Sequence, residues 1–416
     1  MVMSKKCGCD TAGSTSLMPL SEAVQQLLFE ARCLVEAEVC PLHKASGRVL
    51  AQDYIARYAV PPTDNSAMDG YALSFDDLTV SRAMRVSQRI QAGSLAQPLE
   101  KGTCCRIFTG APIPFGADTV IMQEHVEPLN DDVVYLIGSM AKGDHIRLAG
   151  EDLKPGDKIL SKGVRLGPAE CGVLASQGID KVSVFRPLKV AVLATGDELI
   201  QPGQPWSQGK LFNSNRYTLM AGIESLGMQV IDMGVVKDEA LATQAILQKA
   251  SEIADVIITT GGVSVGEADF VRDCVAQSGH LTLWGVAIKP GKPFAFGDVH
   301  GVPFLGLPGN PVASLVTFDV LALPYLRQCQ GMKYKPLTEY KIRAGFSRSK
   351  TLARQEFLRV SLVNRDDQTV AILPGSQGSG VLSTASEADG YLVIPPLTPI
   401  QKGDVYAYLP YSGFRW

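Results

Sequence analysis

The run LKVAVLAT at residues 188–195 constrains this chain more than any other segment. It is apolar almost throughout and does not alternate, the pattern of a strand buried on both faces of a parallel sheet. Parallel strands need long crossover connections, usually helical, and the following residues supply them. NSN (213–215) opens a helix that carries Leu219, Ile223 and Leu226 and stops at Gly227. MQVIDMGVV is a second strand, and Asp238 stands as the cap of a helix with Ala242, Ile246, Ala250 and Ile253 along one face. DVIITT (255–260) is a third strand, followed by the turn GGVSVGEAD and another helix. VPFLGL (302–307) is a fourth, with Asn310 as N-cap and Pro311 at the first position of the next helix. The alternation predicts an open α/β sheet domain over residues 187–333.

The flanking segments follow other rules. Residues 1–16 read as a polar, disordered leader. Between Pro19 and Glu38, Ala23, Leu27 and Leu34 recur at helical spacing, with Ser21 as the expected cap. From residue 61 to 150 the loop PPTDNSAMDGYA leads into short β-favouring runs (CCRIFT, DTVIMQ, DVVYLI) broken by Gly/Pro turns, which predicts a small β domain. GEDLKPGD (150–157) closes that domain, and a short helix is expected within 168–180. Residues 17–60 and 151–186 then form one discontinuous linking domain of helical and mixed character. After residue 334 the strand-like runs EFLRVSLV, TVAILP, GYLVIP and DVYAYLP predict a C-terminal β-barrel to residue 416. A multidomain chain of α/β plus β character suits a length of 416 residues.

Composition excludes several classes of function. A net charge of −3 gives no global basic field for nucleic acid. No apolar run approaches the length of a membrane span, and the leader has no apolar stretch for a secretory signal. The 9 cysteines are scattered, which argues against a disulfide framework and for the cytoplasm. Cys7 and Cys9 form a C-x-C pair in the leader and read as idle thiols. None of the 5 histidines stands at zinc-hydrolase spacing.

In an open α/β sheet, ligands bind beyond the carboxyl ends of the strands. Those ends carry TGDE (195–198), KD (237–238) and TTGGVSVGEAD (259–269), so Glu198, Asp238 and Asp269 are expected on one rim beside a Gly-rich turn. Glycines there let backbone N–H groups approach an anion. Carboxylates next to a phosphate site imply a bridging Mg²⁺, since the like charges would otherwise repel. IKPGKPF (288–294) adds Lys289 and Lys292 between prolines, compact point charges suited to an oxyanion. Neither G-x-G-x-x-G nor a P-loop is present. Acids for a metal and fixed lysines for a dianion are the equipment of phosphoryl or nucleotidyl chemistry.

With those segments in view, the chain resembles the MoeA family, the molybdopterin molybdenumtransferases, to which the E domain of gephyrin is related. DNSAMDGYA, TGAPIPFGADTVIMQE, GEDLKPGD, TGDEL, SNR, GGVSVGEAD, AIKPGKPFAFG, LPGNPV and QGSG occur in the family's order across nearly the whole chain. The resemblance implies a homodimer with a shared active site, in which the MogA-like α/β domain of one subunit faces the small β domain of its partner. It implies insertion of molybdate into adenylylated molybdopterin, with Mg²⁺ and with release of AMP. By the same resemblance Asp69 and Asp152 are acids presented from outside the sheet, while Glu198, Asp238 and Asp269 are those of the rim and hold the metal. Ser264 lies in the Gly-rich turn that meets substrate. Lys289, Lys292, Arg359 and Ser379 match the molybdate pocket, and Pro308 and Pro311 match the rigid loop beside it. Implied partners are a MogA-like adenylyltransferase and molybdoenzyme maturation factors. Gly285 stands where several relatives carry lysine, and Ala313 where relatives often have serine. Two alternatives remain: a MogA-type molybdopterin adenylyltransferase and a non-catalytic scaffold.

Overall fold

The computed structural model describes residues 17–262, 270–365 and 367–415. Its centre is a six-stranded sheet in the order Gln229–Val236, Lys189–Thr195, Val256–Thr260, Val302–Leu307, Pro293–Val299, Leu281–Gly285. The first four run parallel, and Pro293–Val299 is antiparallel to both of its neighbours. The parallel strands match the sequence reading within a residue at their ends. The antiparallel edge is new: Leu281–Gly285 pairs with Pro293–Val299, and between them Ile288–Lys289, in the stretch 288–294 read as a loop, leaves this sheet to pair elsewhere. Their apolar and small residues carry no crossover helix, so the chain returns on itself along one edge.

Both faces of the sheet are covered, as the unbroken apolar strands require. Val190, Val192, Ile258 and Leu305 pack one way with Leu219 and Val316, while Ala191, Leu193 and Ile257 pack the other way with Leu247 and Val275. The helix expected from Pro19 to Glu38 is shorter, Leu20–Glu30, and Ser21 does not cap it. Beyond Ala31 the backbone extends, because the Leu34 N–H donates to the Cys329 carbonyl (2.9 Å) and Ala37–Pro41 pairs antiparallel with Lys181–Phe185. The Leu20–Glu30 helix buries Ala23 and Leu27 in the same core as the α/β sheet.

Residues 70–136 carry a second six-stranded sheet whose two apolar clusters contain only its own residues and near neighbours. Two segments join it to the rest of the chain, and they bond to each other. The N–H groups of Asp152 and Leu153 donate to the Val60 carbonyl, and the Ala56 N–H donates to the Asp157 carbonyl. In the C-terminal region five strands close on themselves, since Gln355–Arg365 pairs with both Gln368–Ile372 and Gly390–Ile394. Ile288–Lys289 adds to this barrel as an outer strand beside Gln355 and Glu356, locking the α/β domain to it.

Candidate active site

The order of the parallel strands reverses between Lys189–Thr195 and Val256–Thr260, which opens a crevice at their carboxyl ends. The chain leaves the first strand through Gly196, at φ 140°, where a Cβ would lie 2.6 Å from a Glu198 carboxylate oxygen. Only glycine lets that carboxylate fold back over the backbone. Asp197 and Asp238 then exchange bonds from main-chain N–H to side-chain carboxylate. The Asp197 N–H donates to Asp238 Oδ2 (3.4 Å), and the Asp238 N–H donates to Asp197 Oδ1 (3.3 Å).

Asp238 therefore does not cap the following helix; that position is held by Glu239, which makes no side-chain cap bond. Half-burial pushes the Asp238 carboxyl above the ordinary carboxylate range, and the charges of Asp197 and Glu198 push the same way. Two of the three expected rim acids, Glu198 and Asp238, are thus brought together. Asp269 and Ser264 lie outside the described residues. Among the described residues no group of three or more His, Cys, Asp or Glu is arranged to enclose a metal. Asp197 was legible only as part of TGDE, with nothing to single it out.

The floor of the crevice is pinned from below. Asn215 Nδ2 donates to Thr260 Oγ1 (2.9 Å) and to the Gly309 carbonyl (2.8 Å), and Thr260 Oγ1 donates to the Pro308 carbonyl (3.2 Å). Asn213, the observed cap, accepts from the Arg216 N–H (3.2 Å). Gly262 sits at φ 70°, where a Cβ would lie 2.5 Å from Val271 Cγ2.

The lysine loop lies at the junction of sheet, helix and barrel. A Cβ on Gly291 would be 2.4 Å from Thr317 Oγ1, so the loop packs directly on the helix Pro311–Thr317. Lys289 is half-buried and Lys292 exposed. The Val312 N–H donates to the Ser379 carbonyl (2.9 Å), which brings Pro311 and Ser379 to the same junction. Arg359 is 1% exposed, and Nη1 and Nη2 donate to the Gly378 and Ser376 carbonyls (3.1 and 3.0 Å). Burial lowers its pKa, and its Nε has no hydrogen-bond partner. The guanidinium thus braces the 376–378 turn. Gln377 does the same from the other side, accepting from the Arg359 N–H (2.9 Å) and donating to the Arg359 carbonyl (3.2 Å). A side chain on Gly285 would meet the far end of Leu17, 2.8 Å away, and Ala313 is buried.

Asp69 and Asp152 stand apart from both groups. Asp69 Oδ1 accepts from the Thr109 N–H and hydroxyl, each at 2.7 Å, and these bonds hold its carboxyl below the ordinary range. Asp152 is exposed, on the paired segments that carry the small β sheet. No hydrogen bond or ion pair among the described residues joins either carboxylate to the rim.

Three family models match successive parts of the chain. They are the MoeA N-terminal region (domain I and II) over residues 18–178, the "Probable molybdopterin binding domain" over 191–328 and the MoeA C-terminal region (domain IV) over 341–411. A molybdopterin molybdenumtransferase of Haemophilus influenzae is 38% identical over 395 residues, covering 94% of this chain and 96% of its own. One from Nostoc sp. is 37% identical over 309 residues, 71% of this chain and 70% of its own. The crystal structure of the MoeA protein from Pyrococcus horikoshii OT3 superposes with a TM-score of 0.80 at 30% identity, covering 95% of this chain and 100% of that one. Matched in order from its N-terminal helix through the acidic rim to the barrel, the chain belongs to the MoeA family of molybdopterin molybdenumtransferases.

Proposed function

We propose that this transferase of molybdenum cofactor biosynthesis inserts molybdate into adenylylated molybdopterin and releases AMP, with Mg²⁺ held at the acidic rim. The observation that carries this reading is the rim itself, where the Asp197 and Asp238 carboxylates each accept the other's main-chain N–H and where burial first, then the charges of Asp197 and Glu198, push the Asp238 pKa up. Such crowding is relieved by a divalent cation. Mg²⁺ needs only one or two carboxylates when substrate phosphates complete its shell, so the hard oxygen donors of Glu198 and Asp238 fit it, with Asp269 as the third acid. Bound there, Mg²⁺ would neutralise charge on the phosphates of the adenylylated substrate. Lys289 and Lys292, on the loop packed against Pro311–Thr317, meet the molybdate dianion, and Arg359 with Gln377 keeps the Ser379 turn in place beside them.

The reading includes a homodimer in which Asp69 and Asp152 reach the partner's rim; it is supported by the absence of any hydrogen bond or ion pair, among the described residues, from either carboxylate to the rim of the same chain. The testing experiment is AMP release from adenylylated molybdopterin, with and without molybdate and Mg²⁺. Release that requires both is expected. Production of adenylylated molybdopterin from ATP instead would assign the chain to the adenylyltransferase branch. Lys289→Ala and Lys292→Ala should each raise the molybdate concentration for half-maximal rate roughly tenfold or more, the worth of one charge-assisted contact. Unchanged molybdate dependence in both variants would remove the lysines from the oxyanion pocket.

A further inference from the structure

The chain leaves the acidic rim at Glu198 and returns to it at Asn213 as a flap. Leu199–Ile200 pairs with Leu211–Phe212, the Leu211 N–H donates to the Glu198 carbonyl (2.8 Å), and the Asn213 N–H donates to the Ile200 carbonyl (3.0 Å). The Lys210 ammonium reaches back and donates to the Asp197 carbonyl. Trp206 Nε1–H donates to the Lys210 carbonyl (3.0 Å). The indole is therefore tied to the same residue whose amine rests on the rim, within the span of one lysine side chain from Asp197. Yet Trp206 is 62% exposed, beside Leu211 at 63% and Phe212 at 47%.

A tryptophan fixed at its one polar atom and open over its apolar ring is an unusual use of a large side chain. With the N–H satisfied inside the flap, the ring itself has no need of water. What it offers is an aromatic face beside the acidic rim, and flat heteroaromatic rings stack on such faces with little regard to their substituents. Resting on the function proposed above, we infer that Trp206 is the stacking platform for one of the two fused rings of adenylylated molybdopterin, the adenine or the pterin. Lys210 is the positioning residue that holds the platform at the rim.

The two rings share the chemistry that Trp206 recognises, and separate titrations distinguish them. Full-length wild-type protein and Trp206→Phe are titrated with AMP and, separately, with 6-hydroxymethylpterin in the presence of Mg²⁺, and the difference in tryptophan fluorescence isolates Trp206. Saturable quenching by one ring in the wild type alone is expected, and it names the ring. In steady-state assays Trp206→Ala should raise KM for adenylylated molybdopterin between about five- and a hundredfold with kcat within a factor of two. Trp206→Tyr should restore most of the loss, and Lys210→Met should raise KM without changing the melting temperature. Absence of quenching by either ring, together with an unchanged KM in Trp206→Ala, overturns the inference while AMP release by the wild type still upholds the function. Dissociation of a dimer by Trp206→Ala with unchanged KM per active site overturns it too, since the indole is then an intersubunit contact. Quenching by AMP in a protein that releases no AMP would sink the proposed reaction and leave the platform standing.

Discussion

At the scale of single residues, the rim and the small β sheet use the same side chain in opposite ways. Asp69 accepts two bonds from Thr109 and its pKa falls. Asp238 accepts one long bond, is half-buried, faces two other acids, and its pKa rises. A folded-state pKa above the unfolded value means that the folded protein binds the proton more tightly. The stability associated with protonated Asp238 is therefore present at low pH and lost as pH rises through that elevated pKa. Asp238→Asn removes the carboxylate's charge and should raise the melting temperature slightly while lowering AMP release by roughly a hundredfold or more. Mg²⁺ relieves the same repulsion, so it should raise the wild-type melting temperature and leave that of Asp238→Asn nearly unchanged. Thermal scans at pH 7.5 with and without Mg²⁺ check this. A wild-type melting temperature indifferent to Mg²⁺ would break the link between the raised pKa and a metal. For Asp69 the sign reverses: the stability its bonds supply is present above the unfolded pKa and lost as pH falls through the depressed one.

At the scale of elements, the parallel strands were legible because burial on both faces leaves an unbroken apolar run, and Leu193 and Ile257 could hardly have been anything else. What sequence could not supply were contacts set by distant partners. The helix from Leu20 stops at Glu30 because Leu34 bonds to Cys329, far along the chain. The strand Ile288–Lys289 forms because the barrel edge at Gln355 and Glu356 accepts it. Asp238 was placed as a helix cap by its position, but its carboxylate answers to Asp197 instead. The rim itself was readable, since it follows from where strands end, whereas the brace beneath it was not. Asn215 supplies that brace by joining Thr260 to Gly309 from the first turn of Ser214–Ser225. Asn215→Ala removes both amide contacts and takes a partner from the buried Thr260 hydroxyl, a loss of about 1–3 kcal/mol. It should lower the melting temperature by several degrees and raise KM for molybdate by loosening the Pro308–Pro311 loop. A variant with wild-type melting temperature and molybdate KM would show that the loop is held by other contacts.

At the scale of the whole molecule, the small β sheet is a separate body on a paired neck. Its cores are its own, and the carboxylate of Asp69 is fixed by Thr109 within it. A rigid carboxylate carried that way cannot be brought to the rim by local rearrangement of its own loop. Either the neck sets the sheet against the rim of the same chain, or a second copy receives it. A two-fold dimer makes the second arrangement reciprocal, each sheet serving the other's rim. Mixing Asp69→Asn subunits with Asp238→Asn subunits separates the cases. In trans, a mixed dimer has one site with both acids intact and one with neither, so activity should return to about half of the wild-type value per mixed dimer. In cis, every site in the mixed dimer lacks one acid and no activity returns. Each parent homodimer should be inactive in both cases, so any recovered AMP release reports the mixed species alone. Mixed dimers, isolated by differently tagged subunits, that remain as inactive as their parents would place Asp69 at the rim of its own chain, and the neck rather than the dimer axis would then be the element that assembles the site.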